Sequence, residues 1–322
     1  MNPDAAKGPS PSPETKTPAA DRPAGAAPAA GGASGGSAAS PPAARARLRF
    51  YGEGLPYLPA ASWPGSLIVV EGTDGAGRST QIAHLVQWLK VQGFSVLETG
   101  WLRSKLMGQA VNDAKKGHTL TRLTYTLFYA TDFADRLEHQ ILPALQAGSI
   151  VLADRYIFTS IARSVVRGVH PEWVRELFGF APRPDLTFYL KLTLDDLIYR
   201  TLRCRRMNYW ESGMDLNLGQ DLYESFSLYQ AALLREFDSL SQEYGFQTLD
   251  GAEAPAVLQR RLREHIGRYL EERYGRPVAT SCGPSGDMPA LPARSAVAKP
   301  AASAKPARKA AKKSDGRARR AK

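Results

Sequence analysis

LIVVEGTDGAGRST, residues 67–80, is the most informative segment of this sequence. Its apolar beginning indicates a buried β-strand, which leads into a glycine-rich turn and then into a helical pattern that begins at Ser79. This order is typical of the phosphate-binding loop G-x-x-x-x-G-K-[ST]. Gly72, Gly77 and Ser79 fit that motif, and Arg78 stands where lysine is expected. An ordinary glycine-rich strand-to-helix turn is the alternative.

A loop of this kind binds phosphate mainly through its backbone. Its N–H groups and the N-terminus of the following helix form a cradle for phosphate oxygens. Gly72, Gly75 and Gly77 supply the positive φ angles and the close backbone approach that the cradle requires. The Ser79 hydroxyl is the expected ligand of a phosphate-bound Mg²⁺. The segment therefore predicts nucleotide binding.

Composition divides the 322-residue chain into three parts. Residues 1–46 consist mainly of Pro, Ala, Gly and Ser, and residues 275–322 mainly of Ala, Pro, Lys and Arg. Neither segment has enough apolar side chains to offset the entropy of ordering, so both are predicted to be disordered. Residues 47–274 are predicted to form one domain, which is long enough to bury a sizeable core.

The net charge of +11 lies almost entirely in the C-terminal segment, because residues 275–322 carry a net +10 and residues 47–274 are neutral. The stretch 291–322 has no aromatic residue for base stacking. It predicts non-specific, salt-dependent binding to the phosphates of nucleic acids. A solvated charged tail without a partner is the alternative.

Two cysteines, Cys204 and Cys282, give neither a disulfide framework nor a metal-binding spacing, which favours a reducing cytoplasm. No apolar run approaches the length of about 20 residues that crosses a bilayer. Residues 1–46 also lack the apolar centre of a secretory signal. The sequence thus predicts a cytoplasmic protein without a membrane segment.

Predicted strands and helices alternate along the central domain. After the first strand, further strands are predicted at residues 94–98, 150–153, 185–192 and 246–249. Helices are predicted at residues 79–92, 103–115, 121–146, 157–167, 171–179, 194–205, 221–244 and 254–274. This alternation predicts an α/β fold, with a five-stranded parallel sheet and helices on both faces. The polar, glycine-containing residues 207–219 indicate a mobile lid.

In a parallel sheet, ligands bind beyond the carboxyl ends of the strands. Asp154 follows an apolar strand of four residues, which is the position of a Walker-B carboxylate. Such a carboxylate holds Mg²⁺ through water or orients the acceptor. The neighbouring Arg155 offers a bidentate fork for phosphate. The alternative is a helix-capping aspartate followed by a surface arginine.

Four segments together resemble one family. They are the loop at 67–80, Phe128-Tyr129-Ala130, Asp154-Arg155-Tyr156 and RPDLTFYL at 183–190. In this order they resemble thymidylate kinases, which are P-loop kinases that transfer the γ-phosphoryl group of ATP to dTMP. The resemblance extends over about residues 67–270. It implies a P-loop NTPase fold, the cofactors ATP and Mg²⁺, a nucleoside monophosphate as partner, and a homodimer.

The resemblance also implies roles for individual residues. The donor phosphates would be held by Gly72, Asp74, Gly75, Ala76, Gly77, Arg78, Ser79 and Thr80. Asp74 would in addition contact the 3′-hydroxyl of the acceptor sugar, Phe128 would stack on its base, and Arg155 would hold its phosphate. Lid arginines would close over the phosphates, and they are Arg200, Arg203, Arg205 and Arg206. The implied catalytic residues are Arg78, Asp154, Arg155, Arg203 and Arg205, and the implied metal ligands are Ser79 and Asp154.

Alternatives stay open for three of these assignments. Phe128 lies in a long amphipathic helix, where an aromatic residue is as readily part of the core as a base platform. The arginines near the lid fit a solvated helix face. Asp74 fits a residue that shapes the turn through its own backbone.

Three departures from the family pattern bear on the chemistry. Arg78 keeps the charge of the missing lysine, but its planar fork is wider. A Thr-Arg-Glu-Pro-Gly stretch is absent after the second strand, where Arg103 is a candidate for the missing arginine. Asp132 stands where the family has an arginine that donates to the thymine carbonyl.

The Asp132 substitution reverses hydrogen-bond polarity, because an ionised carboxylate only accepts. It suits an amino-bearing base better than thymine, and we therefore formulate the hypothesis that the acceptor is not dTMP. The alternative is that Asp132 pairs with Arg136, one helical turn further on.

The leading interpretation is ATP-dependent phosphorylation of a nucleoside monophosphate, most simply dTMP to dTDP. A second is a kinase-like nucleotide-binding protein with weak catalysis, which its basic tail could hold on nucleic acid. A third is a P-loop kinase for a different acceptor. The departures at Arg78 and Asp132 favour the second and third, whereas the intact glycines, Ser79 and Asp154 favour the first.

Overall fold

The computed structural model of the protein describes residues 46–47, 49–58, 62–204, 207–275 and 277–280. Nearly all of the two terminal segments predicted to be disordered lies outside the described residues. So do the basic stretch 291–322, the lid residues Arg205 and Arg206, and Cys282. The domain limits set at residues 46 and 275 therefore stay predictions.

A five-stranded, all-parallel sheet forms the centre of the fold. Its strand order is β4-β5-β3-β6-β7. The strands are β3 (Ser66–Glu71), β4 (Val96–Gly100), β5 (Ile150–Asp154), β6 (Leu186–Lys191) and β7 (Gln247–Asp250). A separate antiparallel pair joins β1 (Ala46–Arg47) to β2 (Ser62–Trp63). The predicted parallel sheet is confirmed, with β4 beginning two residues later than predicted.

Helices connect the strands as predicted. They are α1 (Arg78–Val91), α2 (Gly108–Lys116), α3 (Arg122–Arg136), α4 (Leu142–Gln146), α5 (Ile157–Val166), α6 (Pro171–Leu177), α7 (Leu194–Cys204), α8 (Leu222–Tyr244) and α9 (Pro255–Tyr274). A π-helical turn, Leu137–Ile141, joins α3 to α4. None of these helices, within the described residues, combines the length and hydropathy of a bilayer-spanning segment.

The helix predicted at 103–115 is shorter, because α2 begins only at Gly108. The Ser104 hydroxyl accepts hydrogen bonds from the backbone N–H groups of Leu106 (3.1 Å) and Met107 (2.9 Å). Bonds of this kind give the backbone a local alternative to the helix. The first residues of the predicted helix therefore form a turn.

Strand β3 is buried along its whole length because both of its faces are covered. Leu67 and Val69 contribute to the apolar cluster that contains residues of α3, α5 and α8. Ile68 and Val70 contribute to a second cluster with residues of α1 and α9. A central strand of a parallel sheet is apolar on both faces for this reason, which explains the continuous apolar run at 67–70.

The register of the sheet brings three loops together at its carboxyl edge. Asp154 at the end of β5 is the partner of Val70 in β3 and of Gly100 in β4. Glu71 ends β3, and the segments that follow β4 and β5 begin at Trp101 and Arg155. Their side chains therefore meet at one place, although up to 84 positions separate them in the sequence.

Candidate active site

The glycine-rich loop has the backbone that the sequence predicts. Gly72, Gly75 and Gly77 have φ angles of 146°, 92° and 86°. A Cβ atom at Gly72 would lie 2.9 Å from the carbonyl oxygen of Leu190, so only glycine fits there. Helix α1 starts directly after Gly77, and no side chain caps its first turn. Its uncapped N–H groups can therefore receive an anion.

Arg78 is folded back into the loop. Its Nη1 donates to the carbonyl oxygens of Gly72 (2.5 Å) and Thr73, and its Nε donates to Asp154 Oδ1 at 2.9 Å. The side chain is 7% exposed. Burial and the nearby Arg155 lower the pKa of the Arg78 guanidinium, while the carboxylates oppose that effect. The arginine that replaces the expected lysine thus bridges the loop and the end of β5.

Asp154 also accepts a hydrogen bond from the Ser79 hydroxyl, at 2.8 Å from Oδ2. Burial raises the pKa of the Asp154 carboxyl, but Arg78, Arg155 and the Ser79 hydroxyl lower it more, so the net pKa lies below its ordinary value. The carboxylate is therefore ionised at neutral pH.

Ser79 and Asp154 form an oxygen pair that can hold Mg²⁺. This ion prefers oxygen ligands and commonly binds one or two protein groups together with substrate phosphates. In the part of the chain that the structure describes, no group of three or more His, Cys, Asp or Glu side chains could bind a metal without such help. The donor set of the site thus fits a magnesium ion that arrives with a nucleotide.

Within the loop, Asp74 accepts hydrogen bonds from two arginines. Arg155 Nη2 donates to its Oδ1, and Arg163 Nη2 from α5 donates to its Oδ2. Both guanidinium carbons lie 5.5 Å from the ring centre of Trp101. The indole N–H of Trp101 donates to the carbonyl of Tyr156 at 3.2 Å, which fixes the ring. Asp74, Arg155, Arg163 and Trp101 form what we call the Asp74 cluster.

Arg155 has a positive φ angle of 71°, which is uncommon for a residue with a side chain. Its N–H donates to the Val70 carbonyl at 3.1 Å, so the turn after β5 is tied to β3. Backbone of this kind occurs at functional sites, where the surrounding structure maintains it. The turn aims the Arg155 side chain at Asp74.

Sequence reasoning missed Arg163. The signal that could have found it is helical spacing, because Thr159 and Arg163 are four residues apart and lie on the same face of α5. Thr159 contacts the end of β3, so a residue one turn later lies beside the loop that follows β3. This argument needs the packing of α5 on the sheet, which the sequence alone does not provide.

Glu71, at the end of β3, was also missed. It is fully buried, and its Oε1 accepts from the N–H groups of Tyr156 (2.7 Å) and Thr159 (3.3 Å). Its Oε2 accepts from the Thr159 hydroxyl at 2.5 Å. These bonds fix the start of α5 on the sheet and so orient Arg155 and Arg163.

We expect Glu71→Gln to remove the loss of unfolding free energy that the ionisation of buried Glu71 causes as the pH rises. Burial raises the pKa of Glu71 above its ordinary value of 4.5, although its hydrogen bonds and two arginines oppose this. The contribution of Glu71 to stability is therefore fully present below its unfolded-state pKa and is lost as the pH rises through the raised value. The unfolding free energy of the wild type, minus that of the variant, should fall as the pH rises from below 4.5 through the raised pKa of the buried carboxyl.

Urea denaturation of both proteins across this pH range measures the difference. The other titrating groups are shared by the two proteins, so they cancel. A difference that increases with pH would contradict the raised pKa of Glu71.

A set of aromatic residues lies next to the Asp74 cluster. Tyr125, Tyr129 and Trp210 are buried together with the aliphatic Val111, and the half-buried Phe128 packs against them. The rings of Trp101 and Tyr129 have their centres 4.4 Å apart at an angle of 34°. Phe128 thus lies beside a stack of aromatic rings, with part of its own ring exposed.

Arg167 connects these rings to the predicted lid. It is 2% exposed, and it donates to both oxygens of Asp215, at 2.8 and 3.2 Å. It also donates to the Trp210 carbonyl (3.3 Å) and to the Tyr229 hydroxyl (2.5 Å). The segment 207–219 is thereby joined to α5 and α8 in this structure. Sequence reasoning missed this residue as well.

The predicted lid arginines are not all at the loop. Arg203 is exposed and donates to the Tyr199 hydroxyl of its own helix at 2.6 Å. Arg200 donates to the Gly251 carbonyl at 2.9 Å and to the Gly75 carbonyl of the loop at 3.5 Å. Together with Ala76, Gly77 and Thr80 it lines a cavity of about 230 Å³ beside the loop. Arg205 lies outside the described residues.

Arg103 does not replace the arginine that is missing after β4. Its Nη2 donates to Glu98 at 2.8 Å, and the side chain is 38% exposed. The bulky Trp101 occupies the space beside Arg155 instead. The second guanidinium at this place is that of Arg163.

Asp132 is fully buried and has no free edge for a base. Its oxygens accept from the N–H groups of Leu102 (3.3 Å) and Ser104 (3.2 Å) and from Arg136 Nε (3.0 Å). The pairing with Arg136 is the alternative that the sequence left open. The hypothesis that Asp132 reads an amino-bearing base therefore loses its geometric basis, because the carboxylate holds the irregular loop after β4.

Comparison with known proteins identifies a matching family and several relatives. The family described as thymidylate kinase matches residues 70–226. The chain is 37% identical over 210 residues to the probable thymidylate kinase 2 of Saccharolobus solfataricus, and this match covers 64% of the chain and 98% of that protein. It is 34% identical over 158 residues to the probable thymidylate kinase of Pyrococcus abyssi, which covers 47% of the chain and 77% of that protein.

Proposed function

The chain belongs to the thymidylate kinase family, and we propose that it transfers the γ-phosphoryl group of ATP to dTMP, which yields dTDP. The observation that supports this most directly is the meeting of two charged groups at one loop. Arg78, Ser79 and Asp154 form one group. Asp74, Arg155 and Arg163 form the other.

The first group suits the donor. The loop from Gly72 to Thr80 offers uncapped N–H groups to the ATP phosphates, and Arg78 supplies the positive charge at the end nearest the transferred group. Ser79 and Asp154 would hold Mg²⁺, which neutralises charge on the phosphates when bound. The cavity lined by Arg200 and Thr80 lies beside the loop and suits the nucleoside part of the donor.

The second group suits the acceptor. Arg155 would bind the acceptor phosphate, Asp74 the sugar hydroxyl, and Phe128 the base. Phosphoryl transfer requires little covalent chemistry from the protein, so alignment of the two substrates and stabilisation of the developing charge account for the rate. Glu71 supports this alignment, because it fixes the turn that bears Arg155.

A single-turnover experiment tests the proposed function. The protein in excess is mixed with γ-labelled ATP, Mg²⁺ and one of dTMP, dCMP, dAMP or dGMP, and the labelled diphosphate is measured. We expect dTMP to react fastest. Faster transfer to another monophosphate would support a kinase for a different acceptor. ATP binding without transfer to any of them would support a nucleotide-binding protein with weak catalysis.

The weakly catalytic interpretation has one observation in its favour, which is the set of bonds from Arg78 to the loop carbonyls. Two variants of Arg78 test it. We expect Arg78→Gln to lower kcat by about 100-fold or more, because a donor to developing charge is lost. Arg78→Lys should stay within about tenfold of the wild type, because lysine serves the same phosphates in related loops.

Steady-state kinetics with Mg²⁺-ATP measure both effects, and thermal melting confirms that each variant is folded. Unchanged turnover in Arg78→Gln would mean that this guanidinium has no catalytic task. A large gain in Arg78→Lys would mean that arginine limits the rate.

A further inference from the structure

We propose that Arg163 is a second acceptor-phosphate residue. It binds the phosphate of the acceptor nucleotide together with Arg155, and Asp74 holds the two arginines in position. This inference rests on the proposed function and specifies its acceptor site. It concerns a residue that neither the motifs nor the resemblance pointed to.

The first argument is geometric. Arg155 and Arg163 come from a turn and a helix that are separate in the sequence, yet their Nη2 atoms converge on the two oxygens of one carboxylate. Arginine binds carboxylate and phosphate in the same bidentate manner. The Asp74 carboxylate therefore occupies a pair of donors that suits two oxygens of a phosphate.

The second argument concerns charge. Asp74 forms ion pairs with both Arg155 and Arg163. Asp74 pairs directly with two guanidinium groups, whose side chains are 15% and 6% exposed, and the carboxyl groups of Glu71 and Asp154 interact electrostatically with Arg155. The next arginine along α5, Arg167, has its own partner in Asp215. The Asp74 cluster itself thus contains two guanidinium groups and one carboxylate in a place with little water, which favours a further anion there.

A buried phenol responds to this positive charge. Burial raises the pKa of Tyr125, but Arg167, Arg163 and Lys115 lower it more, and the net pKa lies below its ordinary value. A phenol in an apolar core would show the opposite shift. The positive charge of Arg163 thus contributes to the lowered pKa of Tyr125, whereas burial outweighs it at Tyr129 and Tyr229, whose pKa values are raised.

A purely structural role for Arg163 is the competing explanation. In that case the only task of Arg163 would be to hold Asp74, which contacts the sugar under either explanation. The two explanations differ in what they predict for a ligand without a phosphate. A phosphate-binding arginine affects dTMP and leaves thymidine alone, whereas an arginine that positions Asp74 affects both ligands alike.

The experiment compares the affinities of the full-length protein for dTMP and thymidine by calorimetry. We expect Arg163→Gln to reduce the preference for dTMP over thymidine by about 10-fold to 100-fold, which is the range for a hydrogen bond to a charged group. Arg163→Lys should reduce it less, because the charge remains and only the fork is lost. Arg175→Gln is the matched control, since Arg175 forms a bidentate pair with Glu243 at the surface.

Each outcome decides between explanations. An equal loss of dTMP and thymidine binding in both Arg163 variants would overturn the inference in favour of a positioning role. An undiminished preference for dTMP would overturn it outright. If Arg163→Gln does not fold, Arg163→Lys still has to show a weaker preference than the wild type. A wild type that binds no nucleoside monophosphate better than its nucleoside would instead overturn the proposed function.

Discussion

Asp154→Asn is expected to lower kcat by about 100-fold to 1000-fold while the protein stays folded. The carboxylate accepts from Arg78 Nε at 2.9 Å and from the Ser79 hydroxyl at 2.8 Å. Asparagine has the same shape and keeps one acceptor oxygen. It has no negative charge, however, so it can neither balance the positive charge of Arg78 nor attract Mg²⁺ as a carboxylate does.

The measurement is kcat as a function of the Mg²⁺ concentration. We expect the Asp154→Asn variant to need more Mg²⁺ for half-maximal rate and to stay slow at saturation. Asp238→Asn is the control, since Asp238 pairs with Lys191 at the surface and lies 39% exposed. Wild-type turnover in Asp154→Asn would contradict the assignment of the metal site, and so would an equal loss in the control.

Arg167→Met is expected to lower the unfolding free energy by about 3–5 kcal/mol, the range for removal of one member of a buried ion pair. The side chain of Arg167 is 1% exposed and that of its partner Asp215 is 14% exposed. The change leaves the Asp215 carboxylate without its main partner, and the Tyr229 hydroxyl and the Trp210 carbonyl lose their donor. Methionine has a similarly long, unbranched side chain, but it supplies none of the five donor hydrogens of arginine.

Urea denaturation measures this loss, with Arg175→Met as the matched control. Arg175 forms the same kind of bidentate pair with Glu243, but those side chains are 24% and 39% exposed. The control should cost less than about 1 kcal/mol, because solvent screens a surface pair. We also expect faster proteolysis within residues 207–219 in Arg167→Met. Equal losses in the two variants would mean that burial of the Arg167 pair has no energetic consequence.

Local patterns in the sequence were sufficient for the sheet, the helices and the phosphate-binding loop. The run at 67–70 is apolar at every position, and the structure covers both faces of this strand. The glycines at 72, 75 and 77 require positive φ angles, which few other residues adopt. Each of these properties depends on neighbours within a few residues. They can therefore be recognised before the fold is known.

The partners of the charged side chains depended on the assembled fold. Asp74 meets Arg155 and Arg163 across 81 and 89 residues, and Glu71 meets Thr159 across 88 residues. Such pairs follow from the sheet register and from the packing of α5, which no local pattern encodes. The same holds for Asp132, since its choice between a base and Arg136 depended on the course of the loop after β4. The sequence thus specified a phosphate-binding α/β fold through short-range preferences, whereas long-range packing selected which arginines and carboxylates lie together.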